Sequence, residues 1–399
     1  MIDRKRLATL CAQAGATEEH RVPDQPVIPA IDQSTVFYLG TTEQAEDLFS
    51  GRRKGYAYTR FANPTVDRLA EVFGAMEGGH ACVTASGNAA TVCAVLMALR
   101  GADDRVVASS DIYGGSLEAF RLLQEKLGVA VEIVDAGHAE RWAEAVRHAS
   151  VVFVETPSNP LLRLIDIQAT ADMAHDAGAK LIVDNTVATP YNQLPLSLGA
   201  DYVVHSVSKY LNGHSDIIGG CVVAKAPLTA AEKGVHKNLG GTFNAMDAWL
   251  ALRGLRTFTL RMEAHNRNGA EVAAFLSKHP AIKKVHYPGL PDHPQAALFR
   301  KQMQAGGALL SFSLHGGAEA ANRFLDSLKL IVHAVSLGGM ESLATRPAAT
   351  SHRGMTPEQR QAAGVDDGLV RLSVGTEAVD DILHDLEQAL ASLPIAPPA

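Results

Sequence analysis

The sequence predicts an α/β fold built on a wide, mostly parallel sheet, and three observations carry that expectation. From about residue 80 to 225, short β-rich runs alternate with amphipathic stretches, the pattern of a parallel sheet covered by helices on both faces. The chain is 399 residues long, 47% hydrophobic and 20% charged, which is ordinary globular usage with length for more than one core. Past about residue 250 the pattern changes to a long helical stretch followed by isolated strands, a smaller α+β unit.

The expected strands are ACVTA (81–85), RVVAS (105–109), AVEIV (130–134), VVFVE (151–155), LIVD (181–184), YVVH (202–205) and CVVAK (221–225). Between them, Asn88 to Leu99 and Ile165 to Ala177 have the apolar spacing of crossover helices. Residues 1–55 show little periodicity and are broken by Pro23, Pro26 and Pro29, so they read as an arm that packs on a neighbouring subunit. Residues 56–252 then form the large α/β domain and 253–399 the C-terminal α+β domain. In the latter, a helix is expected from Leu255 to Leu276, strands in ALLSFSLHG and LVRLSVG, and a final helix before the IAPPA tail.

Composition excludes several function classes. The net charge of −7 contains no basic block, which argues against nucleic acid as a partner. No signal-like start and no membrane-length apolar run occur, so a cytoplasmic protein with no membrane partner is expected. Cys11, Cys82, Cys93 and Cys221 are scattered without a C-x-x-C pair, which supports neither disulfides nor zinc. His205 and His214 flank a turn-like YLNG rather than standing at ligand spacing, and no metal is expected.

Four elements carry chemistry. LIVD delivers Asp184 to the carboxyl end of a strand, where open α/β sheets bind ligands. Alone it is a strand-end cap; with the right ligand it pairs with a protonated aromatic nitrogen. The next strand runs into HSVSKYLNGHSD, placing Ser206, Ser208 and Lys209 just past its end. An amine there can form an imine with an aldehyde and later act as a base, and the hydroxyls can donate to a phosphate. In ASGNAAT, Ser86 and Gly87 close a strand and start a helix, a place suited to phosphate. In DIYGG, Tyr113 precedes two glycines, well placed to stack on an aromatic ring and otherwise a plain turn.

These segments form a longer series. YTRFANPT, SGNAA, DIYGG, ETPSNP, VDNT, HSVSKYLNGHSD, SLGGMESLATRPA and VRLSVGTE follow in order over roughly residues 20–390. The chain thereby resembles the Cys/Met-metabolism PLP enzymes, the cystathionine γ-synthase and γ-lyase family. The resemblance implies a fold-type-I, aspartate-aminotransferase-like architecture and pyridoxal 5'-phosphate as cofactor. It makes Lys209 the Schiff-base lysine and proton shuttle, Asp184 the pyridinium partner and Tyr113 the stacking residue. Ser86, Gly87, the Asn88 backbone, Ser206 and Ser208 would hold the phosphate. Tyr58 and Arg60 would reach the phosphate of a neighbouring subunit's cofactor, which implies a homodimer with shared sites, paired into a homotetramer. Arg371, with Ser336 and Asn159, would hold the substrate α-carboxylate.

The chain departs from the family at Asn88, where S-G-M-A is common, which leaves the packing of that helix start open. At positions that meet the distal part of the substrate it has Val335 and Glu118, where cystathionine enzymes often carry Glu and Arg. Val335 resembles methionine γ-lyases, whereas Gly115, in place of their Cys, and MDAWLALRGLRT resemble the cystathionine enzymes. The expected activity is a C–S γ-lyase releasing 2-oxobutanoate, ammonia and a thiol from methionine or cystathionine. A γ-replacement transferase, cystathionine γ-synthase or O-acylhomoserine sulfhydrylase, is the alternative, kept open by ATSHRGM. A non-catalytic relative would lack Lys209 or Asp184, and a nicotinamide dehydrogenase would need a G-x-G-x-x-G after the first strand, which is missing.

Overall fold

Parallel strands buried on both faces must be apolar throughout, and the seven expected runs form one sheet. Its strands are β1 (His80–Thr84), β2 (Arg105–Ser109), β3 (Ala130–Val134), β4 (Val151–Glu155), β5 (Lys180–Asp184), β6 (Tyr202–Ser206) and β7 (Gly220–Ala224). Each bound falls within one residue of expectation. The computed structural model describes residues 3–16, 23–24, 26–101, 103–239 and 241–393. The remaining parts of the arm, and the IAPPA tail, lie outside the described residues.

The spatial order is β1-β7-β6-β5-β4-β2-β3. Strands β2 to β6 run parallel, while β7 lies antiparallel between β6 and β1. Val152, Val154, Leu181, Val183 and Val203 pack on one face and Val151, Phe153, Ile182 and Val204 on the other. Each such side chain contributes roughly 1.5–3 kcal/mol of burial, so the sheet is a rigid platform. Its parallel strands bring Ser109, Glu155, Asp184 and Ser206 to one edge.

The second sheet comprises β8 (Ile282–His286), β9 (Leu309–Leu314), β10 (Val332–His333), β11 (Leu343–Thr345) and β12 (Leu369–Ser373), in the order β10-β11-β12-β9-β8. The apolar runs of β9 and β12 are legible in sequence. β8 is not, because IKKVH is partly exposed, and β10 and β11 have only two and three residues, too few for a periodicity.

The helix expected from Leu255 starts later. Leu255 ends the helix Ala245–Leu255, and the next runs Phe258–Leu276. The break has a cause: Arg261 donates to the carbonyls of Gly254 (3.0 Å) and Tyr210 (2.7 Å). That occupies an acceptor a continuous helix would use. The N-terminal region also holds more structure than its weak periodicity suggests, with helices Arg4–Ala12 and Thr42–Phe49. The second starts in a capping box at Thr41. Tyr38, Val36 and Val27 stand exposed in this region. No helix among the described residues is long and apolar enough to cross a membrane.

Candidate active site

A cavity of about 770 Å³ opens at the edge where the parallel strands end. Ser86, Gly87, Asn88, Tyr113, Asn159, Asp184, Ser206, Ser208, Lys209, Val335, Ser336 and Arg371 all line it. Tyr58, Arg60 and Glu118 are not among its lining residues.

Its floor is a pair of carboxylates. The register of β4 and β5 sets Glu155 beside Asp184, and burial raises the pKa of both, that of Glu155 further through its neighbour's charge. Asp184 accepts the Thr186 N–H at 2.9 Å, and Glu155 accepts the Tyr113 N–H at 2.6 Å. Neither forms an ion pair with a described residue. A buried carboxylate without a cation is costly, so this floor suits a ligand that brings one.

Lys209 sits in the turn after β6, and its Nζ donates to Ser336 Oγ at 2.9 Å. Burial, then the charge of Arg371, lowers the pKa of its amine. Both effects favour the neutral, nucleophilic form.

At the opposite wall Ser86 caps the helix Gly87–Ala98, its Oγ accepting the Ala89 N–H at 3.1 Å. The first-turn amides have no intrahelical acceptor and point outward. A Cβ on Gly87 would meet Ser206 Cβ at 3.0 Å, a tight contact that glycine avoids, so the two segments approach closely here. Asn88 donates through Nδ2 to the Gly115 carbonyl at 3.3 Å, stitching this helix start to that of Gly114–Leu127. The departure at Asn88 thus has a packing role of its own. Gly115 has one too, since a Cβ there would lie 2.3 Å from Tyr113 Cε1.

Arg371, on β12, enters from the second sheet and is 7% exposed. Its Nη2 donates to the Ser336 carbonyl (2.8 Å) and its Nη1 to Asn159 Oδ1 (3.3 Å), while Nε is buried without a partner. Ser336 has φ +92°, a strained conformation of the kind that clusters at functional sites. That conformation accompanies a hydroxyl engaged by Lys209 and a carbonyl engaged by Arg371.

The three outlying residues have other partners. Glu118 is held by Arg121, Nε to Oε2 at 3.0 Å, on the exposed side of its helix. Arg60 donates to the Lys237 carbonyl at 3.3 Å and stacks 5.0 Å from the Phe61 ring, and Tyr58 packs 5.6 Å from the same ring.

The profile of the Cys/Met metabolism PLP-dependent enzyme family matches residues 8–391. The chain belongs to that family. It is 42% identical over 367 residues to an L-methionine gamma-lyase of Porphyromonas gingivalis, covering 91% of this chain and 92% of that one. It is 40% identical over 360 residues to a cystathionine gamma-lyase of Bacillus subtilis, covering 90% and 94%. A solved cystathionine gamma synthase from Xanthomonas oryzae pv. oryzae superposes with a TM-score of 0.89 at 39% identity, over 97% and 98% of the chains. The protein is therefore a PLP-dependent enzyme with an α/β fold of the kind these relatives share.

The residues present fit that cofactor. Asp184, which forms no ion pair with a described residue, suits a pyridinium nitrogen, the bare Gly87 and its helix start suit a phosphate, and the desolvated Lys209 amine suits an aldehyde. Glu155, Thr186 and Arg353 are among the lining groups that the sequence did not single out. Glu155 and Thr186 lie beside recognised positions, and the signal for Glu155 was its place at the carboxyl end of a strand, like Asp184. Arg353 lay in a segment noted for its departure from the lyases, with nothing local to direct it into the cavity.

Proposed function

We propose that this enzyme is a C–S γ-lyase of sulfur amino acids, converting methionine or cystathionine to 2-oxobutanoate, ammonia and a thiol. The observation that carries it is the Lys209–Ser336–Arg371 chain, which sets a proton-carrying amine beside a carboxylate anchor above the Asp184 floor. Pyridoxal phosphate, when bound, supplies an electron sink for carbanion chemistry at the substrate Cα. Arg371 would receive the α-carboxylate with its guanidinium, which Asn159 and the Ser336 carbonyl would steady. Lys209 Nζ is then positioned to take the Cα proton and carry it onward, its burial keeping the amine neutral. Ionised Asp184 would hold the ring nitrogen protonated, and Tyr113, 47% exposed at the cavity wall, would cover the ring face.

The reading of elimination at a thioether rests on apolar Val335 at the distal end, together with the two lyase relatives. Replacement is the second reading, favoured by the Ala349–Arg353 segment lining the same cavity and by the likeness to the synthase structure. Measuring 2-oxobutanoate from methionine, cystathionine and O-acylhomoserines, with and without cysteine or sulfide, separates them. Product formed only when a thiol is added would defeat the lyase reading.

The site is also proposed to be completed by a partner subunit, in homodimers that pair into tetramers. In support, Tyr58 and Arg60 stand outside their own chain's cavity, and the N-terminal region exposes Tyr38 and Val36. Residues 1–55 would be the arm, 56–252 the cofactor domain and 253–399 the C-terminal domain. Arg60→Ala should weaken cofactor retention about 10-fold in equilibrium dialysis. A cytoplasmic location fits the four buried, unpaired cysteines.

A further inference from the structure

Two arginines line the cavity in opposite circumstances. Arg371 is buried and held by Asn159 and Ser336. Arg353 is exposed, and its guanidinium engages no described residue. It nonetheless has a defined place. Its backbone N–H closes a turn on the Thr350 carbonyl at 3.3 Å, and the Thr350 hydroxyl donates to the Arg346 carbonyl at 3.0 Å. The loop rests on the start of the Tyr113 helix, where a Cβ on Gly114 would lie 3.3 Å from the Ser351 carbonyl oxygen.

Among the described residues, the rest of the rim offers this cation no counter-charge. Val335 and Ile218 are 64% and 70% exposed and uncharged. The lining carboxylates, Glu155 and Asp184, belong to the floor, and Glu118 is turned away onto Arg121. A substrate whose α-carboxylate is on Arg371 must direct its distal end elsewhere in the cavity, and the remaining unengaged charge lining it is positive.

We infer that Arg353 is a specificity residue, favouring γ-substituted amino acids whose departing group carries a second carboxylate over those with a neutral tail. The inference rests on the proposed anchoring of the α-carboxylate by Arg371. It concerns the leaving group, so it applies to elimination and to replacement alike. A thioether bearing a distal carboxylate and a hemi-ester of a dicarboxylic acid share the feature that Arg353 reads. A guanidinium at a partly exposed rim supplies a modest preference rather than an absolute one.

The test uses holoenzyme and two unreactive ligands, L-2-aminopimelate with a distal carboxylate and L-norleucine without one. Calorimetric Kd values are measured for wild type, Arg353→Ala, Arg353→Lys and Arg371→Ala. The expected result is that the wild-type preference for aminopimelate falls about 10-fold, equal to ~1.4 kcal/mol, in Arg353→Ala and partly recovers in Arg353→Lys. If the ratio of the two affinities is the same in wild type and Arg353→Ala, the inference is wrong, even where Arg371→Ala weakens both ligands and so upholds the anchor. If Arg371→Ala weakens neither, the anchor itself fails and takes the inference with it. Because neither ligand has a γ-leaving group, the outcome does not depend on which reaction the enzyme performs.

Discussion

The floor of the cavity is made of strand ends and its rim of loops, and the two leave different freedom to the sequence. Asp184 and Glu155 project from adjacent parallel strands whose neighbours are fully buried on both faces. A shift of either strand by one residue would turn its carboxylate to the opposite face, so floor chemistry is tied to the whole core. Val335 and Arg353 project from loops and are exposed, so they can change without disturbing that core. On the roles proposed above, the enzyme's chemistry and its choice of substrate would be separately adjustable, with Ser336 and Arg371 joining them.

Lys209→Ala should break the contrast most sharply. Turnover should fall by about 10⁴-fold or more, and the visible absorbance of the cofactor-bound protein should disappear while far-UV circular dichroism stays native. A variant retaining both the absorbance and measurable turnover would contradict the role given to Lys209. Asp184→Asn keeps the shape of the floor and removes its charge. It should lower kcat roughly 10²- to 10³-fold and shift the visible spectrum; unaltered spectra and kcat would show that the charge is dispensable.

At the junction, Arg371→Ala should raise KM about 100-fold, in the range for removing one partner of a buried charge pair. Arg371→Lys should recover only part of that, because an ammonium cannot bind a carboxylate bidentately. Full recovery by lysine would argue against a fork-like contact.

A further effect, on stability and not on turnover, concerns a histidine packed against Tyr210, the chain neighbour of Lys209. His265 is fully buried, stacks edge-on 5.2 Å from Tyr210, and meets the Val374 carbonyl through Nδ1 at 2.9 Å. Burial lowers its pKa from 6.5 to about 4. The unfolded chain therefore takes up this proton first as the pH falls. The stability contributed by the neutral ring is complete above about pH 6.5 and drains away toward pH 4, roughly 3 kcal/mol in all. Denaturant titrations at pH 7 and 4.5 should show that loss in wild type and a smaller one in His265→Gln. Equal pH slopes would mean His265 is not the group responsible.

Much of the fold was legible in sequence, for a physical reason. Strands buried on both faces need unbroken apolar runs, so VVFVE and LIVD announce themselves, and Asp184, which ends one such run, and Lys209, just past the next, fall where ligands bind. The strand-free appearance of IKKVH and the two-residue β10 belong to the other case, since partial exposure or brevity erases the pattern. Only the tertiary structure decided that Lys209 would meet Ser336 across 127 residues of chain, that Glu155 would lie beside Asp184, and that Arg353 would line the cavity while Glu118 would not. Local periodicity reports which face of an element is buried. Which distant element covers that face is settled by packing between segments that carry no mark of one another in their own residues.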